Sequence, residues 1–283
     1  EKLANVQSKT RYGGMENASN IFYRERSVSG NRASEGLIAH EVAHQWFGNS
    51  VTEKDWHHIW LSEGFATYFT QLYNEFTQGH DAIENGMRGA RNTIIAFYAQ
   101  NLDLALIAEQ LSDPNRMLNR NAYQKGAWVL HMLRRQIGDE AFWAGIREYY
   151  RQYRDTNALT EDLQRVMEKA STQNLQQFFQ QCAYGPGHPV LKGTWRYDTN
   201  AGQLNITIHQ TQPSGNIFMF PLDIGISVSA EVPTRVETLQ MRSAVETFAI
   251  PVDAAPNTVT LDPDTWLLFE GELSQQQGDV SQR

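Results

Sequence analysis

The chain has 283 residues and a net charge of −8, from 24 Lys and Arg against 32 Asp and Glu, with one cysteine, Cys182. That length supports two modest domains with a core apiece, and the absence of long charged runs excludes nucleic acid and an anionic membrane surface as evident partners. No apolar run is long enough for a membrane span, and a single cysteine excludes an internal disulfide framework.

Two textures divide the sequence, which opens at Glu1 and reads as a fragment or processed product. From about Ser34 to Ala183 the apolar residues recur at helical spacing. Leu37, His40, His44 and Phe47 share one face of a first predicted helix, which Gly48 and Asn49 should end as a left-handed cap. A second helix is predicted through Phe65, Phe69, Leu72 and Phe76. A third covers Tyr123 to Ile137 and should stop at Gly138, where Asp139 can cap a helix carrying Phe142, Trp143, Ile146, Tyr149 and Tyr150. Thr160, followed by Glu161 and Asp162, marks another start, with the acids favourable at the helix's positive end.

At YGPGHPV, Tyr184 to Val190, prolines and glycines end the helical region and read as a linker. Beyond it LNITI (Leu204 to Ile208), LDIGISV (Leu222 to Val228) and TVTL (Thr258 to Leu261) alternate as strands do, separated by turn formers such as Gln212 to Asn216. The expected class is α+β: a mainly helical domain over 1–187, a small antiparallel β-sandwich over 188–272 and a polar tail over 273–283.

The stretch that carries chemistry is HEVAHQWFGNSVTEKDWHHIWLSEGFATY, His40 to Tyr68. Residues four apart stack on a helix, so His40 and His44 can aim ring nitrogens at one ion, with Glu41 facing the same cleft. HExxH alone is weak, but Val42, Ala43, Trp46 and Phe47 make the surroundings too apolar for unpaired polar groups to come cheaply. Glu63 follows His44 by nineteen positions, room for a helix to end, a loop to turn and the next helix to begin. Two histidines and a carboxylate suit zinc and leave a fourth position for water. That open position marks a catalytic site, whereas a structural zinc commonly takes four ligands, often cysteines.

HEVAHQWFGN followed by WLSEGFATY resembles the M1 family of zinc aminopeptidases, gluzincins with HExxH and a glutamate nineteen positions on. GGMEN, Gly13 to Asn17, is similar to that family's exopeptidase signature, and AYQKGAWVLHMLR, Ala122 to Arg134, to the segment with its catalytic tyrosine. The blocks keep the family's order and spacing, and the resemblance extends through PGHPVL into the sandwich. It implies a thermolysin-like catalytic domain with one zinc ion, Zn2+, held by His40, His44 and Glu63. It further implies that Glu41 moves a proton from the attacking water to the leaving amine, and that Tyr123 donates a hydrogen bond to the oxyanion. Glu16 would hold the charged amine of peptides with a free N-terminus, making the chain an exopeptidase. Gly13 and Gly14 would let substrate backbone approach, with Asn17 completing the binding block, while Met15 either lines a pocket or is core.

The family's N-terminal saddle-shaped β domain, with its second acidic residue for the amine, is expected to lie outside this chain, as is the large helical domain that ends many members. Thr67 stands four positions after the third ligand, where thermolysin-like relatives place an acid. Two other readings compete: a weak or inactive zinc-containing peptide-binding module, and an epoxide hydrolase resembling the leukotriene hydrolases. Glu41 and Tyr123 favour an enzyme, because binding alone requires neither. Among remaining residues, His57 and His58 are either support behind the metal or solvent-facing. His131 reads as a hydrogen-bonded core residue, Lys125 as support beside Tyr123, and Trp46, Trp56 and Trp60 as packing around the site.

Overall fold

The computed structural model describes residues 2–276 and divides the chain into two units, Glu1–Pro186 and Gly187–Arg283. The first opens with a three-stranded sheet of β1 (Ala4–Ser8), β2 (Gly14–Met15) and β3 (Asn20–Arg24), ordered β1-β3-β2. β1 is parallel to β3 and β2 antiparallel to it, with Met15 opposite Phe22. These strands have no counterpart among the predicted elements, because runs so short and half-exposed show no clear alternation.

α1 (Glu35–Ala43), β4 (Val51–Glu53) and α2 (Trp60–Gln78) follow, and then α3 (His80–Tyr98), which no motif had marked. After the short α4 (Pro114–Met117), a π-turn over Asn121–Lys125 leads into α5 (Gly126–Ile137) and α6 (Asp139–Tyr153). β5 (Thr156–Ala158) pairs in parallel with β4, α7 (Thr160–Ser171) and α8 (Gln176–Phe179) follow, and a second π-turn over Gln180–Tyr184 completes the unit. α2 packs against α1, α3 and α5. Its first turns, Trp60 to Ala66, are buried on every side, as a central helix must be. Its last turns outrun the core, so Phe76, expected on the buried face, is 90% exposed.

Two helix boundaries differ from the predicted ones, and a third agrees. α1 ends at Ala43, well before Gly48. The chain then turns, Phe47 bridges Val51, and Gly48 takes a φ of +126° with its N–H donating to the Val51 carbonyl at 2.8 Å. A Cβ there would lie 2.4 Å from Ser62 Oγ, so glycine is required. Gly138 does separate α5 from α6, but Asp139 is the first helical residue, and its carboxylate accepts Arg134 Nε at 2.8 Å and Nη2 at 2.7 Å. α7 does begin at Thr160, and the N–H of Leu159 before it is held by Asp162 at 2.9 Å. Thr160 is fully buried and accepts from Trp60 Nε1 at 2.9 Å.

The second unit holds β6 (Val190–Asp198), β7 (Gln203–Gln210), β8 (Phe220–Ser227), β9 (Arg235–Met241), β10 (Val245–Pro251), β11 (Thr258–Leu261) and β12 (Glu270–Gln275). They form a four-stranded sheet, β10-β7-β6-β12, and a three-stranded sheet, β11-β8-β9. Leu191, Trp195, Leu204, Ile206 and Ile208 of one, with Leu222, Ile224, Ile226 and Val259 of the other, are buried and make the core. The pairing is antiparallel as expected except between β12 and β6, which run parallel. The chain crosses to the other sheet at β11 before returning beside β6, and such a crossover is what parallel neighbours need. β12 also corrects the expected tail at 273–283: Leu273, Ser274 and Gln275 pair with Gly193, Thr194 and Trp195. Residues 277–283 lie outside the described residues.

α2 and α5 meet at two glycines. A Cβ on Gly64 would sit 2.8 Å from Gly126 Cα and 3.2 Å from the Ala122 carbonyl oxygen. This approach seats the π-turn, and Tyr123 with it, against the start of α2. Gly64→Ala is therefore expected to cost about 1–3 kcal/mol through overpacking. An earlier urea midpoint would register that cost; an unshifted one would mean that the two backbones tolerate a methyl between them.

Candidate metal centre

His40 and His44 stand one turn apart at the end of α1, and Glu63 projects from the first turn of α2. Their donor atoms converge. His40 Nε2 lies 3.0 Å from His44 Nε2, and Glu63 Oε2 lies 3.2 Å from the first and 3.3 Å from the second. In a tetrahedral site with metal–nitrogen bonds of about 2.0–2.1 Å, neighbouring donors are about 3.3–3.4 Å apart. The triangle has the size of one face of such a tetrahedron.

The protonation pattern fits a cation as well. His44 Nδ1 sits 3.1 Å from the Phe47 carbonyl oxygen, which can only accept, so Nδ1 carries the hydrogen. Once the ring gives up its second proton, as it must to bind a metal, Nε2 presents its lone pair to the other two donors. Ser62 Oγ lies 3.2 Å from the same Nδ1 and buttresses the ring. Burial disfavours a charged His44, yet hydrogen bonding and charge from Glu63, with Glu16 and Glu41 behind it, carry its pKa up to about 9. Burial likewise opposes an ionised Glu63, but its bonds to His40 and His44 outweigh that and hold it at about 2. A site that binds a proton so firmly between anions and lone pairs favours any cation placed there.

Around the triangle stand the other expected residues. The π-turn adds a residue to the helical ladder, as such turns often do at functional sites, and aims Tyr123 back at α2. Tyr123 Oη donates to Glu63 Oε1 at 2.9 Å, and its ring stacks on His40 with centroids 6.1 Å apart. Burial and the Glu63 charge push the Tyr123 pKa up, so the phenol stays protonated. Glu41 is buried against the backbone of β2, where a Cβ on Gly14 would collide with its carboxylate at 2.2 Å. Burial, with Glu16 and Glu63 adding to it against His44, pushes Glu41 up to about 7.

GGMEN lies alongside α1. Gly13 faces Leu37, and the Glu16 carbonyl accepts Gln45 Nε2 at 3.0 Å and Asn49 Nδ2 at 2.6 Å. Carboxylate oxygens of Glu16 and Glu41 and a nitrogen of His44 lie within 4.8 Å of one another. Gly13, Gly14, Met15 and Glu16 line a cleft of about 710 Å³ together with His40, Glu41, His44, Glu63 and Tyr123. Asn17 is the exception: it is exposed, outside the cleft lining, and its carbonyl closes a turn to the Asn20 N–H at 2.9 Å. A larger cavity, about 880 Å³, lies on the other side of α1 between Val42, Trp46, Phe69 and Trp143, and it contains none of the converging donors.

The remaining polar residues sort themselves by contact. His57 bonds to Asp55 and, through Nε2, lies 2.9 Å from the Leu111 carbonyl, tying two loops together. His58 Nδ1 lies 2.9 Å from Thr160 Oγ1. His131 is buried 3.2 Å from Tyr68 Oη, as a core histidine should be. Lys125 turns away from the site, donating to Tyr98 Oη at 2.9 Å, and so anchors the π-turn from behind. The three tryptophans do not cluster: Trp56 lines the cleft, Trp46 the other cavity, and Trp60 is core. Sequence reasoning missed Gln45, Asn49 and Ser62. The signal for the first two was polarity inside an apolar HQWFGN segment.

Residues 3–182 match the peptidase family M1 domain. Aminopeptidase M1-C of Oryza sativa subsp. japonica is 30% identical over 234 residues, covering 75% of this chain and 26% of that protein. Aminopeptidase N of Lactococcus lactis subsp. lactis is 30% identical over 225 residues, again 75% and 26%. Aminopeptidase A of Legionella pneumophila, solved in complex with aspartic acid, shares the fold with a TM-score of 0.78 at 18% identity, over 95% of this chain and 31% of that one. The chain belongs to peptidase family M1. It spans about a quarter of the length of those curated relatives.

Zinc titration followed by thermal unfolding checks the donor triangle. At about 100 times its Kd, a ligand confined to the folded state adds about 2.7 kcal/mol. The parent chain should gain that increment, and Glu63→Ala should lose it whatever its own baseline. Equal gains in both would move the ion elsewhere.

Proposed function

We propose that this chain is the catalytic part of a zinc aminopeptidase, hydrolysing the first peptide bond of peptides with a free N-terminus. The observation that carries the reading is the meeting, in one cleft, of a cation-sized donor triangle, a buried carboxylate at Glu41 and a protonated phenol at Tyr123. When bound at His40, His44 and Glu63, a zinc ion supplies Lewis acidity, polarising a carbonyl and bringing a water's pKa towards neutrality.

The chain's own residues do the rest. Phe47 and Ser62 hold the His44 ring by Nδ1 and leave Nε2 as the nitrogen that would bind the ion. Glu41, next to the triangle and shielded by β2, accepts the proton of the attacking water and returns it to the departing amine. Tyr123 shifts its hydrogen bond from Glu63 to the developing oxyanion; one such donor is worth about 3 kcal/mol in the transition state. Glu16 meets the substrate's ammonium, and the bonds from Gln45 and Asn49 to its backbone keep that carboxylate at a set distance from the donors.

The central test is turnover of aminoacyl-nitroanilides with and without a chelator. Glu41→Gln keeps the shape and removes the base, so it should retain the metal and lose all but a residue of kcat. Activity within a few fold of the parent would require another base. The amine anchor has its own test, in which one peptide is offered free and N-acetylated to the parent and to Glu16→Ala. Loss of a charge-assisted contact should lower kcat/KM on the free peptide by about ten- to two-hundredfold and shrink the penalty for acetylation. A penalty that stays the same places the amine elsewhere.

A further inference from the structure

Tyr123 is the middle residue of the π-turn Asn121–Lys125 and lines the cleft; the two end residues do not. Those ends are held elsewhere. Asn121 Nδ2 donates to the carbonyls of Leu104 and Ala105, both at 3.1 Å. Lys125 Nζ donates to Tyr98 Oη at 2.9 Å, and Tyr98 Oη donates in turn to the Leu104 carbonyl at 2.8 Å. Both ends of the turn therefore close on one carbonyl, the first residue directly and the last through the Tyr98 hydroxyl. The receiving segment is itself fixed: Ala105 bridges Pro186, and the Ile107 N–H donates to the Ala183 carbonyl at 2.9 Å. Lys125 Nζ reaches the same strip of chain, 3.3 Å from the Gly185 carbonyl.

Lys125 is 1% exposed, and its partners are a phenol and a carbonyl, not a carboxylate. A buried ammonium with neutral partners is a costly way to fill space, and an apolar side chain of similar length commonly serves stability as well. What the ammonium adds is direction, because its N–H bonds fix the end of the turn relative to Leu104. A π-turn needs that fix, since it carries one residue more than the regular helical ladder. Losing the extra residue would shift the ladder by one position and swing Tyr123 by about 100° around the helix axis. Its hydroxyl would then leave Glu63 Oε1, which it now meets at 2.9 Å.

We propose that Lys125, with Tyr98 and Asn121, positions the Tyr123 hydroxyl, locking the π-turn so that the phenol is already aimed when charge develops on the substrate oxygen. This rests on the aminopeptidase reading, in which Tyr123 serves the oxyanion. Because these residues act through Tyr123, their loss falls on kcat and spares KM.

The experiment is a double-mutant cycle with alanyl-nitroanilide, with kcat expressed per zinc-loaded molecule. Lys125→Met should lower kcat by about ten- to a hundredfold and leave KM within about threefold, as displacement of a catalytic donor does. In a Tyr123→Phe background the same change should cost less than about threefold, because no hydroxyl is left to misplace. Tyr98→Phe removes the link and keeps the ring; should methionine disturb folding, it gives a second cycle with the same pattern. A readout that needs no turnover is amide hydrogen exchange across Asn121–Lys125, which should quicken in both variants. Residues that serve stability alone would shift the urea midpoint with kcat unmoved, or cost the same in both backgrounds, and either result overturns the proposal. So does a loss confined to KM, or unchanged exchange in the turn. A parent that is active but no faster than its Tyr123→Phe variant overturns the proposal and leaves the aminopeptidase reading standing. A parent that does not cleave the substrate overturns both.

Discussion

Two imidazole nitrogens and a carboxylate oxygen within 3.3 Å of one another, under cover, repel each other unless something positive lies between them. Helical spacing alone brings His40 and His44 together. The third donor must be carried in by a second helix and kept there against that repulsion. The unit does this by burying the first turns of α2 on all sides, so that Glu63 cannot withdraw without lifting Trp60, Phe65 and Ala66 out of the core. The hydrogen bond from Tyr123 occupies the other oxygen of Glu63 and limits its rotation. Much of the surrounding architecture follows from keeping these atoms in place.

Close backbone approach is the means. Gly14 lets β2 lie on Glu41, Gly48 lets the end of α1 fold over Ser62, and Gly64 with Gly126 lets the π-turn descend on α2. Each contact is at a distance where even a methyl would intrude, so the glycines mark where two elements share a volume. Their effect is geometric, and each bears on a chemical group: the Glu41 carboxylate, the His44 ring or the Tyr123 hydroxyl.

The electrostatic character of the cleft also arises from packing. Glu41 comes from α1, Glu63 from α2 and Glu16 from the loop after β2, and Lys125 is spent on Tyr98 behind the π-turn. The result is a cavity whose clustered carboxylates favour positive charge. The overall charge of −8 does not foretell this, since acids are scattered along the whole chain.

The sequence by itself determined the local parts. The histidine pair at i and i+4, the helices around Phe65 and through Ile137, and the change of texture at Tyr184 to Val190 all rest on spacing within one element, which periodicity reports directly. Tertiary structure decided everything that depends on two elements meeting. The strands within and on either side of GGMEN, the early end of α1 at Ala43 and the π-turn that aims Tyr123 are set by contacts with distant residues, not by their own composition. So is the parallel return of β12, whose polar run reads as tail until β6 is seen beside it. Ser62, Gln45 and Asn49 belong to the same class: each is an ordinary polar residue until the fold sets it against His44 or the Glu16 backbone. Hydrogen bonds of that kind leave no period in a sequence, because their partners are separated by loops whose paths only packing fixes.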